Sequence, residues 1–327
     1  MHKEKKDYLF LKNEFLFIGR GRNALFILKK LLKKNINFSQ IWVSKKYNES
    51  CREQFITIAK SNKISIKFIQ NLDDKNTLEN LKKLKVKYVI CLFWKFKIKE
   101  EVLKISKFVN LHFGLLPKYR GNACINWAII NNEKYSGVTI HFMDKNLDAG
   151  PIISQKKIKL NSNDNITILN QRFLDEGEKL IHGFIDDVNS KKKISPKIQS
   201  SKDSFRCYPR IPRDGIIDWN KNTRDILNLI RSLGPPYPYA YTFKGIKKIE
   251  IIEAEEIKKN PSFLATPGHI LDVKDDNIII ATKNNQILIK KIRVYGKKNI
   301  IKPGVLFKSI RERLGLDIEL ILNHINK

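Results

Sequence analysis

Across residues 1–150 the chain alternates short apolar runs with longer amphipathic ones, and this rhythm constrains the fold more than any other feature. Glu14–Gly19 (EFLFIG), Gln40–Ser44, Ile64–Gln70 and Lys87–Phe93 (KYVICLF) each read as a buried strand. Helical spacing runs between them, through Ala24–Leu32, Glu49–Ser61 and Thr77–Leu84. Strands separated by helices form βαβ units, which cover both faces of a parallel sheet. The expected fold class is therefore α/β, a Rossmann-like, doubly wound, mostly parallel sheet. Within 163–190, Ile166, Ile168, Leu169, Phe173, Leu174, Leu180, Ile181, Phe184 and Ile185 recur at helical spacing and predict one long amphipathic helix.

The pattern then changes. From Lys191 to Ser204 the chain is charged and Ser-rich, as linkers are. A helix is expected near Asn222, with Asp225 three residues on as a capping-box variant. Ile249–Ala254, Gly268–Val273, Asn277–Ala281 and Gln286–Val294 are short β-rich runs separated by polar turns such as Lys274-Asp275-Asp276. They predict a small β-barrel of OB-like type, with a terminal helix over Leu306–Ile325. A chain of 327 residues suits two domains. The expected division is a catalytic domain over 1–190, a linker over 191–205 and a small β-rich domain over 206–327.

No apolar run approaches the roughly 18 residues of a spanning helix, and Met1–Asp7 is too charged to lead a secretory signal. A cytoplasmic protein with no membrane partner is expected. Cys51, Cys91, Cys124 and Cys207 form no C-x-x-C pair, which argues against a disulfide scaffold or a zinc site. The net charge of +30 admits a nucleic-acid or another anionic partner. Lysine supplies most of it, whereas planar phosphate recognition favours arginine.

Gly19-Arg20-Gly21-Arg22-Asn23-Ala24 fits G-x-G-x-x-A between a strand and a helix. A dinucleotide site also needs an acidic residue ending the second strand, and none arrives before Glu49. The segment reads as a tight strand–helix turn. Val109–Ile153 is more informative. Asn110 and His112 alternate with Val109 and Leu111, so on a strand both polar side chains leave one face. Asp148 sits on a turn ending in Ala149-Gly150-Pro151 and can reach His112 from a neighbouring loop. Amide, imidazole and carboxylate make an acyl-transfer set. The His takes a proton from an attacking amine, the Asp steadies the imidazolium, and the Asn donates to a developing oxyanion. Taken alone, a single histidine beside a strand reads more readily as structural than as catalytic.

This segment resembles the signature of the folate-dependent formyltransferases: N-x-H at 110–112, L-L-P-x-Y-R-G at 115–121, G-V-T-x-H at 137–141 and L-D-x-G-x-I at 147–152. The resemblance implies that Asn110, His112 and Asp148 are catalytic and that 10-formyltetrahydrofolate is the formyl donor, with no metal. It implies folate contacts from Phe96, Lys97 and Ile98 after the fourth strand, from Asp144, Lys145, Asn146, Leu147 and Asp148, and from Asn122. Phe113-Gly114 departs from the family, which usually has a small residue or Pro and then Ser there. His141 reads as an interior strand histidine that meets a hydrogen-bond partner. Arg210–Trp219, Pro235-Pro236-Tyr237-Pro238 and Thr266–Ile270 resemble the family's C-terminal domain.

Three acceptors or roles compete. Members acting on methionyl-tRNA typically carry a basic Gly/Arg-rich insertion after the second strand; here that strand leads directly into Lys45-Lys46-Tyr47-Asn48-Glu49. Lys118–Trp127 and Gly304–Phe307 are closer to members acting on amino sugars. The expected substrate is thus a nucleotide-linked 4-amino-4-deoxy or dideoxy sugar, with a homodimer as the expected assembly. tRNA is the alternative acceptor, and a non-catalytic basic nucleic-acid-binding protein the remote one.

Overall fold

The computed structural model describes residues 14–45, 49–257 and 263–325. The chain divides into two compact units. The first comprises Met1–Gly121, Ser136–Lys159 and Gln171–Cys207, and the second comprises Asn122–Tyr135, Leu160–Asn170 and Tyr208–Lys327.

The first unit opens with β1 (Phe15–Gly19), α1 (Gly21–Lys33), β2 (Ile41–Ser44), α2 (Glu49–Ser61), β3 (Ile66–Ile69), α3 (Lys75–Leu84) and β4 (Tyr88–Leu92). A short α4 (Glu100–Leu103) leads to β5 (Lys107–His112) and the two-residue β6 (Arg120–Gly121). After α5 (Cys124–Ile130) come β7 (Tyr135–Phe142), β8 (Ile152–Lys159), α6 (Ile166–Asn189) and β9 (Arg206–Cys207). Seven strands form one sheet in the order β3-β2-β1-β4-β5-β7-β8. β1 to β5 run parallel and β7 pairs antiparallel with β5. The doubly wound expectation holds, because every residue of β1 and β4 is buried, as a sheet covered on both faces requires. α1 buries Ala24, Leu25, Ile27, Leu28, Leu31 and Leu32, the face its spacing marks. Gly19 makes the turn before α1 possible: a Cβ there would lie 2.5 Å from the Phe17 ring.

In the second unit, α7 (Thr223–Arg231) is followed by β10 (Tyr241–Gly245), β11 (Lys247–Glu256), β12 (Ile270–Lys274), β13 (Asn277–Ala281), β14 (Gln286–Val294), β15 (Gly315–Leu316) and α8 (Ile318–Ile325). The six strands curl into a half-barrel in the order β12-β13-β14-β11-β10-β15, closed over Ile249, Ile251, Ile278, Ile280, Ile287 and Ile289. Asn222 is the N-cap of α7, but its side chain makes no cap bond. Asn284, distant in sequence, accepts from the Thr223 N–H at 2.9 Å instead.

The terminal helix begins at Ile318, not Leu306. Phe307 and Leu314 carry an apolar repeat that imitates helical spacing, yet the barrel core buries both from non-helical backbone. Gly315, at φ 145°, then lets the chain add β15 beside β10.

Candidate active site

β5 delivers two polar side chains from one face, because residues two apart on a strand share a side. Asn110 pairs in register with His141 of β7, and His112 with Thr139. The loop after β7 folds back, with the Phe142 N–H donating to the Pro151 carbonyl at 2.9 Å. That return sets Asp148 against His112, and Gly150 is what allows so tight a path: a Cβ there would lie 1.8 Å from the Phe142 oxygen. Asp148 adopts φ 51°, a left-handed conformation that Asp tolerates better than most residues.

Asn110, His112 and Asp148 therefore meet. His112 Nε2 lies 2.6 Å from the Tyr119 carbonyl oxygen, which can only accept, so Nε2 carries the proton of the neutral ring. His112 Nδ1 then faces Asp148 Oδ2 at 3.4 Å. The same carboxylate accepts the Gly121 N–H at 2.9 Å and a bond of 3.4 Å from Asn110 Nδ2. His112 and Asp148 are both buried. Burial pushes the His112 pKa down further than the Asp148 charge pulls it up, so the ring is held neutral below the usual imidazole range. Burial pushes Asp148 up, but His112, His141 and the Gly121 N–H outweigh it and hold the carboxyl at about 2.

His141 is interior, as expected, and its hydrogen-bond partner belongs to the site. Its Nδ1 donates to the Phe142 carbonyl at 2.8 Å, leaving Nε2 to accept from Asn110 Nδ2 at 3.1 Å. Asn110 thus has both N–H groups committed, one to His141 and one to Asp148. Oδ1 is the uncommitted atom of the amide, and the Asp148 bond, at 3.4 Å, is the longer of the two.

The departure at Phe113-Gly114 acquires a physical reason. Phe113 packs between Phe93 and Phe173, with ring centroids 5.4 and 5.7 Å away, which ties the loop after β4 to the end of β5. A Cβ at Gly114 would lie 2.7 Å from His112 Nε2 and 2.8 Å from the Tyr119 oxygen. Only glycine leaves room for the imidazole–carbonyl contact as it stands.

Among the expected folate contacts, Phe96 is half-buried, Lys97 exposed and Ile98 buried in the core. Asp144, Lys145, Asn146 and Leu147 form an exposed turn, with Asp144 Oδ1 accepting the Asn146 N–H at 2.8 Å. Asn122 is exposed and opens a segment of the second unit. The Trp94 ring stands 5.6 Å from Phe96, and its Nε1 is buried without a hydrogen-bond partner. An aromatic wall with an unspent donor fits a flat, acceptor-rich heterocycle.

Gln199 has no sequence signal, lying in the charged, Ser-rich stretch. It donates to the Asp148 carbonyl at 2.9 Å and to the Gly150 carbonyl at 2.7 Å, while Arg120 grips its Oε1 at 2.8 Å. Among the described residues no group of three or more His, Cys, Asp or Glu is placed to hold a metal, and no helix is long and apolar enough to cross a membrane.

Comparison with known proteins finds two family matches: formyl transferase over residues 13–185, and formyl transferase, C-terminal domain, over residues 211–306. The methionyl-tRNA formyltransferase of Clostridium tetani is 38% identical over 230 residues, covering 69% of this chain and 72% of that protein. Among solved structures, the N-formyltransferase from Helicobacter canadensis, in complex with folinic acid and dTDP-3-aminofucose, superposes with a TM-score of 0.64 at 23% identity, over 84% of this chain and 98% of that one. HypX from Aquifex aeolicus, in complex with tetrahydrofolic acid, gives a TM-score of 0.60 at 17% identity over 91% of this chain, which spans 47% of the HypX chain. At these identities the two structures speak for the fold alone.

Proposed function

The chain belongs to the formyl transferase family, and from that premise we propose that it moves the formyl group of 10-formyltetrahydrofolate onto the amine of a nucleotide-linked 4-amino-4-deoxy or dideoxy sugar. The observation that carries the choice of acceptor is the connection between β2 and α2. It is limited to residues 45–48, of which 46–48 lie outside the described residues, so it has no space for a basic Gly/Arg-rich insertion. The reading includes a cytoplasmic homodimer.

The folate supplies an activated one-carbon carbonyl. The residues do the rest. His112, held neutral, accepts at Nδ1 the proton that the attacking amine sheds, and its imidazolium returns a proton to the folate nitrogen released when the bond from that nitrogen to the formyl carbon breaks. The resulting imidazolium faces the ionised Asp148, so charge separation is small within the buried site. Tyr119 keeps the opposite nitrogen protonated and thereby fixes which nitrogen is the base. Asn110 directs its weaker N–H bond, 3.4 Å to Asp148, toward the carbonyl oxygen as charge develops there.

The sign of the pH dependence follows. The base must be neutral and its pKa lies below the usual 6.5 of an imidazole, so at saturating acceptor the acid limb that His112 gives to kcat should inflect below 6.5. Asp148, at about 2, remains ionised throughout. A pH–rate profile whose acid limb inflects above 6.5 contradicts this assignment.

The tRNA reading draws on the 38% identical relative and on the charge of +30. Incubating the protein with 10-formyltetrahydrofolate and either charged initiator tRNA or a panel of amino-sugar nucleotides decides between them. Tetrahydrofolate release with an amino-sugar nucleotide alone is the expected result. Release with tRNA alone overturns the proposed acceptor, and no release with any amine overturns the enzyme assignment.

A further inference from the structure

Arg120 stands between the two backbone groups that organise the site. The Tyr119 carbonyl on one side meets His112 Nε2 at 2.6 Å, and the Gly121 N–H on the other meets the Asp148 carboxylate at 2.9 Å. Arg120 is half-buried and its guanidinium closes on one acceptor, with Nε and Nη2 donating to Gln199 Oε1 at 3.1 and 2.8 Å. The far end of that amide donates to the Asp148 and Gly150 carbonyls. Carbonyls can only accept and a guanidinium can only donate, so the amide has one orientation, with both N–H groups and its oxygen committed.

The stretch that carries Gln199 is tied down on either side of it. Lys197 and Ile152 exchange backbone hydrogen bonds of 2.8 Å. Farther on, the Phe205 carbonyl accepts the Arg120 N–H at 3.1 Å, and β9 pairs in parallel with β6. Backbone pairing alone would fasten such a strap. The Gln199 amide adds a bridge across the turn that begins at Asp148, whose φ of 51° persists only where its surroundings over-determine it. A neutral amide suits both ends, accepting from a cation while donating to two carbonyls. A carboxylate would hold the cation and repel the carbonyls.

We propose that Gln199, gripped by Arg120, is a positioning residue for formyl transfer: it fixes the turn 148–150 and thereby where the Asp148 carboxylate stands against His112. This rests on the catalytic role given to Asp148 above and is independent of which amine is formylated.

Gln199→Glu separates positioning from plain fastening, because the two roles ask opposite things of the side chain. Glu keeps the length and offers Arg120 a stronger, charge-assisted acceptor, so a tether that only fastens the strap survives the change. Its carboxylate has no N–H for either carbonyl, so the turn is released. With tetrahydrofolate release as the assay and the amine that the wild type prefers, kcat should fall by about tenfold or more while Tm holds. In an Asp148→Asn background the same change should cost less than about twofold in single-turnover rate, since the charge that Gln199 places is already gone. Should Gln199→Glu fail to fold, Gln199→Met also lacks both donors and carries the same two-background comparison. A kcat for Gln199→Glu within about twofold of wild type would overturn the positioning role. So would a loss in the Asp148→Asn background as large as that in the wild type. Near-normal kcat in Asp148→Asn by itself would instead overturn the catalytic reading of Asp148, and the role of Gln199 with it.

Discussion

Replacing His112 by Ala should lower kcat by about 10³-fold, the middle of the range for a positioned general base. The loss should fall on kcat and not on folate affinity, because the ring is held between Tyr119 and Asp148 and is only 6% exposed. Ala leaves a small cavity and an unpaired Tyr119 carbonyl, so some loss of Tm accompanies it. His112→Gln separates the two effects, since it restores bulk and a donor for the carbonyl but no base. Steady-state turnover on the preferred amine, with folinic acid binding and thermal melting alongside, is the measurement. Near-normal kcat in either variant would show that the proton goes elsewhere. Asp148→Asn should lose a comparable share of rate, because its charge is what meets the imidazolium.

The second large effect comes from a residue with no side chain of its own. Gly150→Ala places a methyl 1.8 Å from the Phe142 oxygen and 2.9 Å from its carbonyl carbon. Backbone cannot yield there as a flexible side chain would, so the loop carrying Asp148 must move. Overpacking of this kind costs about 1–3 kcal/mol of stability, and a shift near 1 Å at the carboxylate costs about 10²-fold in rate. Both Tm and kcat should fall. Gly183→Ala is the internal control: it sits in α6 with nothing within 4 Å of the new Cβ. It should leave kcat unchanged and stabilise by up to ~1 kcal/mol through helix propensity. Equal behaviour of the two variants would mean that the loop tolerates displacement and that Gly150 does not position Asp148.

The legible parts of this protein were those written in local spacing. β1, β2, β4, α2, β13 and β14 could be read within a residue or two because fully buried parallel strands and one-sided helices leave periodic apolar runs. Asn110 and His112 were legible as a pair because a strand turns a two-residue spacing into a shared face. Asp148 was legible as a turn carboxylate within reach of His112, but nothing local says which loop returns to which strand, and the family resemblance singled it out. β8 and β10 went unassigned: β8, at the sheet edge, reads IISQKKIK, too polar toward its end to look like a buried strand. Local spacing alone starts the terminal helix too early, because Phe307 and Leu314 satisfy a helical repeat while serving the barrel core.

Other parts of the site had no local signal. The Tyr119 carbonyl that fixes the tautomer of His112 is a backbone atom, and any residue type supplies one. Gln199 reaches Asp148 across 51 positions and comes from a stretch whose composition says only that it is polar. His141 was legible as an interior histidine, but its engagement of the Asn110 amide follows from the register of β5 against β7.

The order of apolar and polar residues thus determined the α/β architecture, the β-rich second unit and the two polar side chains of β5, because burial imposes short-range periods that composition must obey. Tertiary structure alone decided which nitrogen of His112 carries the proton, where the hydrogens of Asn110 go and why residue 114 is glycine. Those outcomes depend on distances between atoms that chain order leaves free until strands pair and loops return.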